Sequence, residues 1–445
     1  MAFPELNPGW FAAAIPLSPL LSFLLLGGTM LLARAPSERA VARQVLGALW
    51  LSWGCAVGVS AWWAVHPQPV FVAWLPSGHP FQVDGVSAPL LVLVSTVTLL
   101  VGRFSVSYLH REPGFARFFL LLALFSAGMH LLVGGGSLEV LLVGWEWVGL
   151  SSALLIGFFQ ERAGPVRASL RAFGAYRLCD VGLLAALAWL HHATGTARWP
   201  TSAQGLPATA LALCLLLAAL GKSAQLPFSG WLARAMEGPT PSSALFYGAL
   251  SIHAGVYLML RASPLLMQAP LARGAMVLVG LLTALHATLV WRVQPDVKGA
   301  LAQGVLTQVG LMFVEVGLGL TSLALLHLLA HASLRCLQFL QAPSALRHAQ
   351  TRRAALRDTR PPSFAWLHRL APPSLEPRLY RLALERFAVD AHCEHWVLQP
   401  LRRVAHALDS AERRWVGRLT EETAPRAAPT RPGEPSPGKP STGAA

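Results

Sequence analysis

The sequence predicts an all-α polytopic membrane protein with about eleven transmembrane helices. Of its 445 residues, 54% are hydrophobic and only 13% are charged, and the mean hydropathy is +0.50. This composition is typical of a chain whose main solvent is lipid. Apolar stretches long enough to span the hydrocarbon core recur along the chain, at 10–33, 46–65, 84–102, 118–134, 137–158, 172–192, 207–225, 239–261, 272–291, 299–319 and 321–342.

Arginine residues are concentrated in every second loop between these stretches, whereas the alternate loops carry little positive charge. By the positive-inside rule, we expect a multi-pass protein of the bacterial inner membrane with its N-terminus outside and its C-terminus in the cytoplasm. The net charge of +14 is explained by these loops and by anionic lipid, so a nucleic-acid partner is not expected. The basic loops contain Arg34, Arg39 and Arg43, then Arg103, Arg111 and Arg117, then Arg162, Arg167 and Arg171.

The sequence gives no sign of a cofactor of its own. Its five cysteines lie far apart and form no CxxC pair, which argues against a disulfide or zinc framework. We find no flavin, nicotinamide or iron–sulfur motif, so the energy for any transport must come from partner subunits.

Titratable residues inside the apolar spans are the strongest functional signal, because an ionisable group at membrane depth is costly and marks a functional site by default. Glu146 lies in VLLVGWEWVGLSSALLIGFF, Asp180 in RLCDVGLLAALAWL and Lys222 in LALCLLLAALGKSAQLPFSGWL. We expect Lys222 to be the cation next to Glu146, so that the two can exchange a proton. The alternative is a static buried ion pair that fixes helix packing.

Prolines predict that the helix carrying Lys222 is broken at membrane depth. Pro227 follows five residues after Lys222, and Pro239 and Pro241 lie in MEGPTPSSAL. Irregular backbone at this depth is tolerated only beside protein or a water-filled cavity.

A stripe of basic residues in span eleven suggests a proton relay. His327 and His331 are four residues apart, and Arg335 lies one further turn along the same helical face. A metal site would need a third ligand such as Glu315, so we do not expect a metal. Lys298 opens span ten near the predicted cytoplasmic side, where snorkelling to the interface would explain it.

We divide the chain into five parts. Residues 1–83 hold the first helices and an outer loop, and residues 84–346 the channel core. Residues 347–376 form a proline-punctuated cytoplasmic linker, and residues 377–420 an amphipathic helical segment broken at Pro400. Residues 421–445 are rich in Pro, Gly, Ser and Thr and are expected to be disordered.

Long motifs resemble the proton-conducting antiporter-like membrane subunits of respiratory complex I and of Mrp-type cation/proton antiporters. They are GWEWVGLSSALLIGF, GKSAQLPFSGWLARAMEGPTPSSAL, AGVYLMLR, QPDVKGALAQGVLTQVGLMF and LLHLLAHASLRCLQFL, with the step from Arg177 to Asp180. The resemblance implies inverted five-helix repeats with helices broken at mid-membrane. It implies roles on a polar axis as follows: Glu146 as gating carboxylate, Lys222 as pumping lysine, Arg177 and Asp180 as modulating partners, and Lys298, His327 and His331 as relay positions.

The chain also departs from the family pattern. Tyr247 stands where the family has a histidine, and His253, six residues later, is expected to stand in for it. Arg335 replaces the family's relay lysine, and a guanidinium does not release a proton under working conditions. The second repeat is truncated after span eleven, without a broken helix of its own.

We therefore expect a proton-translocating membrane subunit of a complex I-like NADH:quinone oxidoreductase or of an Mrp-type antiporter complex. It would move protons or monovalent cations together with other membrane subunits in the lipid bilayer. One alternative is the membrane subunit of a DAB-type inorganic-carbon accumulation complex, which RFSVSYLHREPGFARFF and VGLMFVEVGLGLTSLALLHLLAH resemble. Another is a scaffold subunit that conducts nothing. The segment AVDAHCEHWVLQPLRRVAHALD is similar to the tail of the complex I subunit and favours the first reading.

Overall fold

The computed structural model describes residues 8–32, 36–72, 81–199, 207–342, 355, 376–393, 395 and 399–423. In this part of the chain, ten helical segments are long and apolar enough to cross a membrane, and α7 (Ala208–Lys222) is a shorter apolar helix. Apolar runs fold as helices because lipid offers no hydrogen bonds to the backbone. The ten are α1 (Pro8–Leu31), α2 (Glu38–Val65), α3 (Ser87–Tyr108), α4 (Phe115–Gly134), α5 (Leu138–Ile156), α6 (Ala163–Thr194), Thr240–Arg261, α12 (Pro270–Trp291), α13 (Val297–Gly317) and α14 (Thr321–Leu340).

The protein is thus a helical, multi-pass membrane protein, and the ten spans with α7 match the predicted number of crossings. The seventh crossing is broken. Helix α7 ends at Lys222, and non-helical residues lead to the short helix α8 (Gly230–Arg234) and a 3-10 turn at Ala235–Glu237. The predicted break after Lys222 is confirmed, and Pro227, which lacks an N–H, could not continue the helix.

The eighth crossing, Thr240–Arg261, is irregular throughout its first half. It begins as α9 (Thr240–Ser242), continues as a π-helix at Ser243–Ala249 and a 3-10 turn at Ser251–His253, and ends as α10 (Ala254–Arg261). Every residue from 240 to 260 is buried, so this span lies in the centre of the helical bundle. The irregular segment α7 to α10 therefore forms the interior of the protein.

Shorter elements complete the described structure. An antiparallel hairpin pairs β1 (Val70–Val72) with β2 (Phe81–Val83), and α11 (Ser263–Leu266) follows the eighth span. The first compact unit extends to Asp390 and includes α15 (Glu376–Leu384) and a 3-10 turn at Arg386–Ala388, and α16 (Val389–Cys393) begins at its end. A second unit begins at Ala391 and contains α17 (Gln399–Thr423).

The predicted C-terminal segments are only partly described. Helix α17 continues to Thr423 and so includes the first three residues of the predicted disordered tail, 421–423. The rest of that tail, 424–445, lies outside the described residues, as does the linker from 347 to 375 apart from residue 355. The division into five parts stays a prediction.

One end of the bundle, which we call the hairpin face, gathers the loops with little positive charge. Phe81 of the hairpin pairs with Gly135 after α4, and Ser137 before α5 pairs with Arg198 after α6. These bridges show that the loops after α2, α4 and α6 share one face, as alternation of the helices requires.

The opposite end, which we call the arginine face, carries the basic loops. Arg117 Nη2, at the start of α4, donates a 2.7 Å hydrogen bond to the carbonyl of Phe158 after α5. Tyr108 Oη, at the end of α3, donates to Thr240 Oγ1 at 3.1 Å, which places the beginning of the eighth span on this face. The eighth span therefore runs from the arginine face to the hairpin face.

Small residues bring α6 and α7 close together. A Cβ at Gly221 would lie 2.4 Å from Cβ of Cys179, and one at Gly182 would lie 2.3 Å from the carbonyl of Cys214. Close approach of this kind is how membrane helices gain packing contacts in lipid. Because Asp180 follows Cys179 and Lys222 follows Gly221, the contact sets these two charged residues on adjoining turns.

Candidate site: a charged cluster and a histidine cluster at a broken helix

The charged cluster consists of Glu146 on α5, Arg177 and Asp180 on α6, and Lys222 at the end of α7. Arg177 bridges the two carboxylates: its Nη1 pairs with Glu146 Oε2, and its Nη2 donates to Asp180 Oδ2 at 2.7 Å. The planar fork of arginine suits such two-sided binding better than a single ammonium does. The expected residues of this cluster are therefore close together, with Arg177 at its centre.

The two carboxylates differ in their surroundings. Asp180 is only 3% exposed, and its Oδ1 accepts a 2.5 Å hydrogen bond from the indole N–H of Trp145. Glu146 and Arg177 are 31% and 37% exposed on the surface of this chain. The cluster thus extends from the interior to a face that a neighbour or lipid would cover.

Lys222 is almost fully buried, with 1% exposure, and its Nζ donates a 3.0 Å hydrogen bond to the carbonyl of Trp145. The ammonium lies 4.8 Å from the ring centre of Trp145 and 4.7 Å from that of Tyr176. Cation–π contact and a carbonyl acceptor together stabilise a buried ammonium. The end of α7 adds the negative pole of the helix dipole.

The expectation of a direct contact between Glu146 and Lys222 is wrong in this structure. None of the described carboxylates lies within 4.0 Å of Lys222 Nζ, because Arg177 occupies both Glu146 and Asp180. The charges of Asp180 and Glu146 nevertheless act on Lys222 at longer range. The lysine is therefore held beside the carboxylates without being neutralised by contact.

Hydrogen bonds join the helix break after Lys222 to the eighth span, which carries His253. Ser223 Oγ donates to the carbonyl of Ile252 at 2.7 Å and accepts the N–H of Gly255 at 3.1 Å. Trp231, on α8, donates its indole N–H to the carbonyl of Gly221 at 3.1 Å. The helix break thus places Lys222 next to the middle of the eighth span.

Several buried polar atoms on the central spans have no hydrogen-bond partner among the described residues. They are Gln225 Oε1, Ser243 Oγ, Ser251 Oγ and Gln303 Oε1. A buried polar atom without a partner is costly, and internal water is the usual partner. The bundle interior is therefore suited to hold water along the irregular spans.

The histidine cluster consists of His253 on the eighth span and His327, His331 and Arg335 on α14. His253 Nε2 lies 3.0 Å from His331 Nδ1, and Arg335 Nε donates to His331 Nε2 at 3.1 Å. Arg335 also donates through Nη1 to Gln338 Oε1 at 2.9 Å. His253, His331 and Arg335, three of the predicted relay residues, are thus in direct contact.

Arg335 determines how the histidine pair is hydrogen-bonded. A guanidinium is only a donor, so His331 Nε2 must be an acceptor. In the neutral ring the proton of His331 is then on Nδ1, where it is donated to Nε2 of His253. The pair therefore has a direction, from Arg335 through His331 to His253, and a proton cannot continue through Arg335.

His327 binds different partners. Its Nδ1 lies 2.9 Å from Glu315 Oε1 and its Nε2 lies 3.1 Å from Gln308 Oε1, both on α13. Its ring centre is 6.1 Å from that of His331, in an edge-to-face contact. Glu315 thus meets His327 and not His331, whose two nitrogens already have other partners.

The structure does not bring Lys298 into either cluster. It is the second residue of α13, half-buried, with no side-chain hydrogen bond or ion pair to any described residue. With a rise of about 1.5 Å per residue, it lies about 9 Å along the axis from Gly304, which faces Arg335. Its place at the helix end fits a lysine that reaches toward the arginine face.

The sequence reasoning missed the aromatic walls around Lys222. Tyr176 contacts Trp231 with ring centres 4.9 Å apart, and Trp231 contacts Tyr247 at 5.5 Å. Tyr247, noted only as a substitution, is the residue of the eighth span that completes this aromatic wall. The signal was present in the placement of Trp145 beside Glu146 and of Tyr176 beside Arg177.

Two regions of the chain match known protein families. Residues 135–367 match the family described as NADH:quinone oxidoreductase/Mrp antiporter, transmembrane part. The chain belongs to this family. Residues 74–119 also match the N-terminal region of complex I chain 5.

Named relatives of this antiporter-like chain are subunits of multisubunit membrane complexes. It is 40% identical over 290 residues to NADH-quinone oxidoreductase subunit L of Mycobacterium tuberculosis, covering 62% of this chain and 46% of that protein. It is 38% identical over 271 residues to NADH-ubiquinone oxidoreductase chain 5 of Metridium senile, covering 60% and 45%. The chain thus spans less than half the length of these relatives.

A solved structure has a similar fold. The Mrp complex from Dietzia sp. DQ12-45-1b superimposes with a TM-score of 0.62 at 26% identity, covering 73% of this chain and 37% of that one. The helical arrangement predicted from the sequence is therefore that of an antiporter-like membrane subunit.

Proposed function

We propose that this chain is a proton-translocating membrane subunit of a complex I-like multisubunit complex. The observation that carries the proposal is the position of Lys222: a buried ammonium at a helix break, beside two carboxylates bridged by Arg177. An ionisable group at this depth is a functional site by default. The similarity to subunit L and chain 5 proteins supports the same function.

The geometry suggests how the charged cluster acts. While Arg177 holds Glu146 and Asp180, Lys222 has no contact with a carboxylate and its proton is easier to lose. If Arg177 releases Glu146, that carboxylate can approach Lys222 and favour the charged form of the lysine. Movement of one guanidinium would thus switch the lysine between holding and releasing a proton.

The released proton passes to the histidine pair. Lys222 becomes a neutral amine when it gives its proton to water near the Ser223 contact. This water protonates Nε2 of His253, the ring nitrogen without a proton, in place of the hydrogen bond from His331. Unpartnered polar atoms on these spans support water in this region. Arg335 closes the far side of His331.

The partners in this proposal are the other membrane subunits of the complex, which supply the energy. The partly exposed Glu146 and Arg177 are suited to face such a neighbour, whose charge would bias the switch. We also propose that the arginine face is cytoplasmic and the N-terminus outside, because the basic loops gather on that face. In this proposal the transported ion is the proton, because lysine and histidine side chains can take up and release protons.

The test uses the native complex, purified with its other subunits and reconstituted in liposomes. Mass spectrometry of the subunits should identify those of a quinone oxidoreductase. We expect Lys222→Ala and Glu146→Gln to stop coupled proton movement, measured with a pH-sensitive dye, without loss of assembly.

Lys298→Ala is the matched control, because that lysine lies outside both clusters. Normal proton movement in both site variants, with assembly intact, would contradict the proposal. So would a native complex that contains no redox or ion-transport subunits.

A further inference from the structure

A second buried polar network lies between the histidine pair and the hairpin face. On the eighth span, His253, Tyr257 and Arg261 follow one another at intervals of four residues, so they share one helical face. The distance along the axis from His253 to Arg261 is about 12 Å. The last two residues belong to the motif AGVYLMLR, to which the proposed function assigns no role.

Arg261 joins this stripe to the hairpin face. Its Nη1 donates to Asp84 Oδ2 at 2.5 Å, and its Nε donates to Tyr257 Oη at 2.7 Å. The tyrosine hydroxyl in turn donates to the carbonyl of Val133 in the last turn of α4. One guanidinium thus holds a buried hydroxyl and a carboxylate side by side.

Asp84 is placed to exchange protons with water. It lies between β2 and α3, outside the membrane spans, and its side chain is 22% exposed. Its Oδ1 accepts the N–H groups of Val86 and Ser87 at 3.1 and 3.0 Å. Burial raises the pKa of Asp84, but Arg261 and these N–H groups outweigh burial and lower it below its usual value. The group is an ionised acceptor that releases a proton readily.

A small cavity lies beside His253 and Tyr257. Its wall is mostly apolar, made of leucine, valine, methionine and alanine side chains of α3, α4, the eighth span and α14. It has room for about one water molecule, and the buried Nδ1 of His253, which has no hydrogen-bond partner among the described residues, is the group that such a water would bind. At the far end, Arg261 is 8% exposed and its Nη2 has no partner among the described residues, which leaves a buried donor for a further water.

We propose that Asp84, Tyr257 and Arg261 form the proton release site of this chain, which takes protons from His253 and delivers them to water at the hairpin face. The proposal rests on the proposed proton translocation. His331 cannot pass a proton through Arg335, so the pair must discharge through another route. The cavity beside His253 supplies one.

The transfer conserves protons at every step. Protonated His253 gives a proton to the water in the cavity, and this water protonates the oxygen of Tyr257. The hydroxyl's own proton, released from the carbonyl of Val133, passes to the carboxylate of Asp84 and then to bulk water. Arg261 keeps its charge throughout and acts only to hold Tyr257 and Asp84 in place.

The experiment compares Tyr257→Phe and Asp84→Asn in the reconstituted native complex. The phenylalanine keeps the ring and removes only the hydroxyl, and Tyr108→Phe removes a tyrosine hydroxyl at the opposite face as a matched control. We expect coupled proton movement to fall by about tenfold in each site variant, as for loss of one hydrogen-bonded transfer step. The control should match the unsubstituted protein.

Chemical rescue distinguishes a role of Asp84 as proton acceptor from a purely structural role. Formate, a small carboxylate, should restore proton movement in Asp84→Asn and have no effect on Tyr257→Phe, and Asp84→Glu should retain activity. Failure of formate to restore movement would overturn the role of Asp84 as acceptor.

The outcomes also distinguish this site from the proposed function. Normal movement in Tyr257→Phe and Asp84→Asn, with Lys222→Ala inactive, would overturn the release site and leave the function in place. The same result with His327→Gln inactive would assign release to the Glu315 and His327 pair instead. Normal movement in Lys222→Ala would overturn the function itself.

Discussion

The charged cluster and the histidine cluster hold proton-active groups in opposite ways. In the first, permanent charges of both signs surround Lys222, whose partners are a backbone carbonyl and two aromatic rings. In the second, two imidazoles bind each other and a single arginine closes one end. Charge sets the proton affinity of the lysine, whereas hydrogen-bond direction sets the route through the histidines.

The difference also lies in what can move. Arg177 has two carboxylate partners, and the proposed switch needs only that it release one of them. His331 has one donor and one acceptor, and Arg335 fixes which is which. The first region is suited to switching and the second to conduction.

Outside the charged cluster, the largest effect should come from His253→Gln. An amide cannot take up the proton that water brings from Lys222 and pass it on, so we expect proton movement to fall by about a hundredfold, the scale of losing an acid–base group. His191→Gln, in an exposed part of α6, is the control. Wild-type movement in His253→Gln would remove the histidine pair from the path.

Arg177→Gln should have the next largest effect. Glu146 loses its partner, and Asp180 keeps only the indole of Trp145. We expect Glu146 to pair with Lys222 instead, which holds the proton on the lysine and slows movement by about tenfold. Arg167→Gln, an exposed arginine on the same helix, should change nothing. Equal rates in the two variants would mean that the bridge is only structural.

Arg335 should show a smaller and graded effect. Arg335→Leu removes the donor to His331, so either tautomer becomes available and movement falls by about threefold to tenfold, the equivalent of one hydrogen bond. Arg335→Lys keeps a cation and should keep or raise the rate, since a lysine can also release its proton. An unchanged rate in the leucine variant would show that Arg335 does not direct the pair.

The smallest effect is expected on stability. Gly221→Ala would place a Cβ 2.4 Å from Cys179 and force α6 and α7 apart. We expect a loss of about 1 to 3 kcal/mol in the unfolding free energy of the detergent-solubilised protein, typical of overpacking. Gly54→Ala, where no atom lies within 4 Å, is the control. Equal stabilities would show that this helix contact is not tight.

The fold was largely predictable because membrane spans follow from length and hydropathy alone. Even the break after Lys222 was visible in the sequence, since Pro227 lacks the N–H a helix would need. The π-helix at Ser243–Ala249 was not predictable, because it depends on how the eighth span packs inside the bundle.

The candidate site was predictable in its members but not in its pairing. Burial in an apolar span singled out Glu146, Asp180 and Lys222, yet the choice of Arg177 as the partner of Glu146 depends on side-chain reach across two helices. His253 and His331 lie 78 residues apart, so their contact is visible only in three dimensions. Lys298 lies at the start of α13, outside both clusters, and its relay role stays a prediction, because a motif position does not reveal which side chains a residue will meet.

Lys222→Met in the native complex tests the central claim most directly, because methionine is an unbranched side chain only one atom shorter than lysine and has neither a charge nor a proton to give. Protons moved should be counted against substrate turned over in the same liposomes. We predict that the number of protons per turnover falls while the complex stays assembled. An unchanged ratio would contradict the account, since a lysine that can be made neutral without consequence does not carry protons.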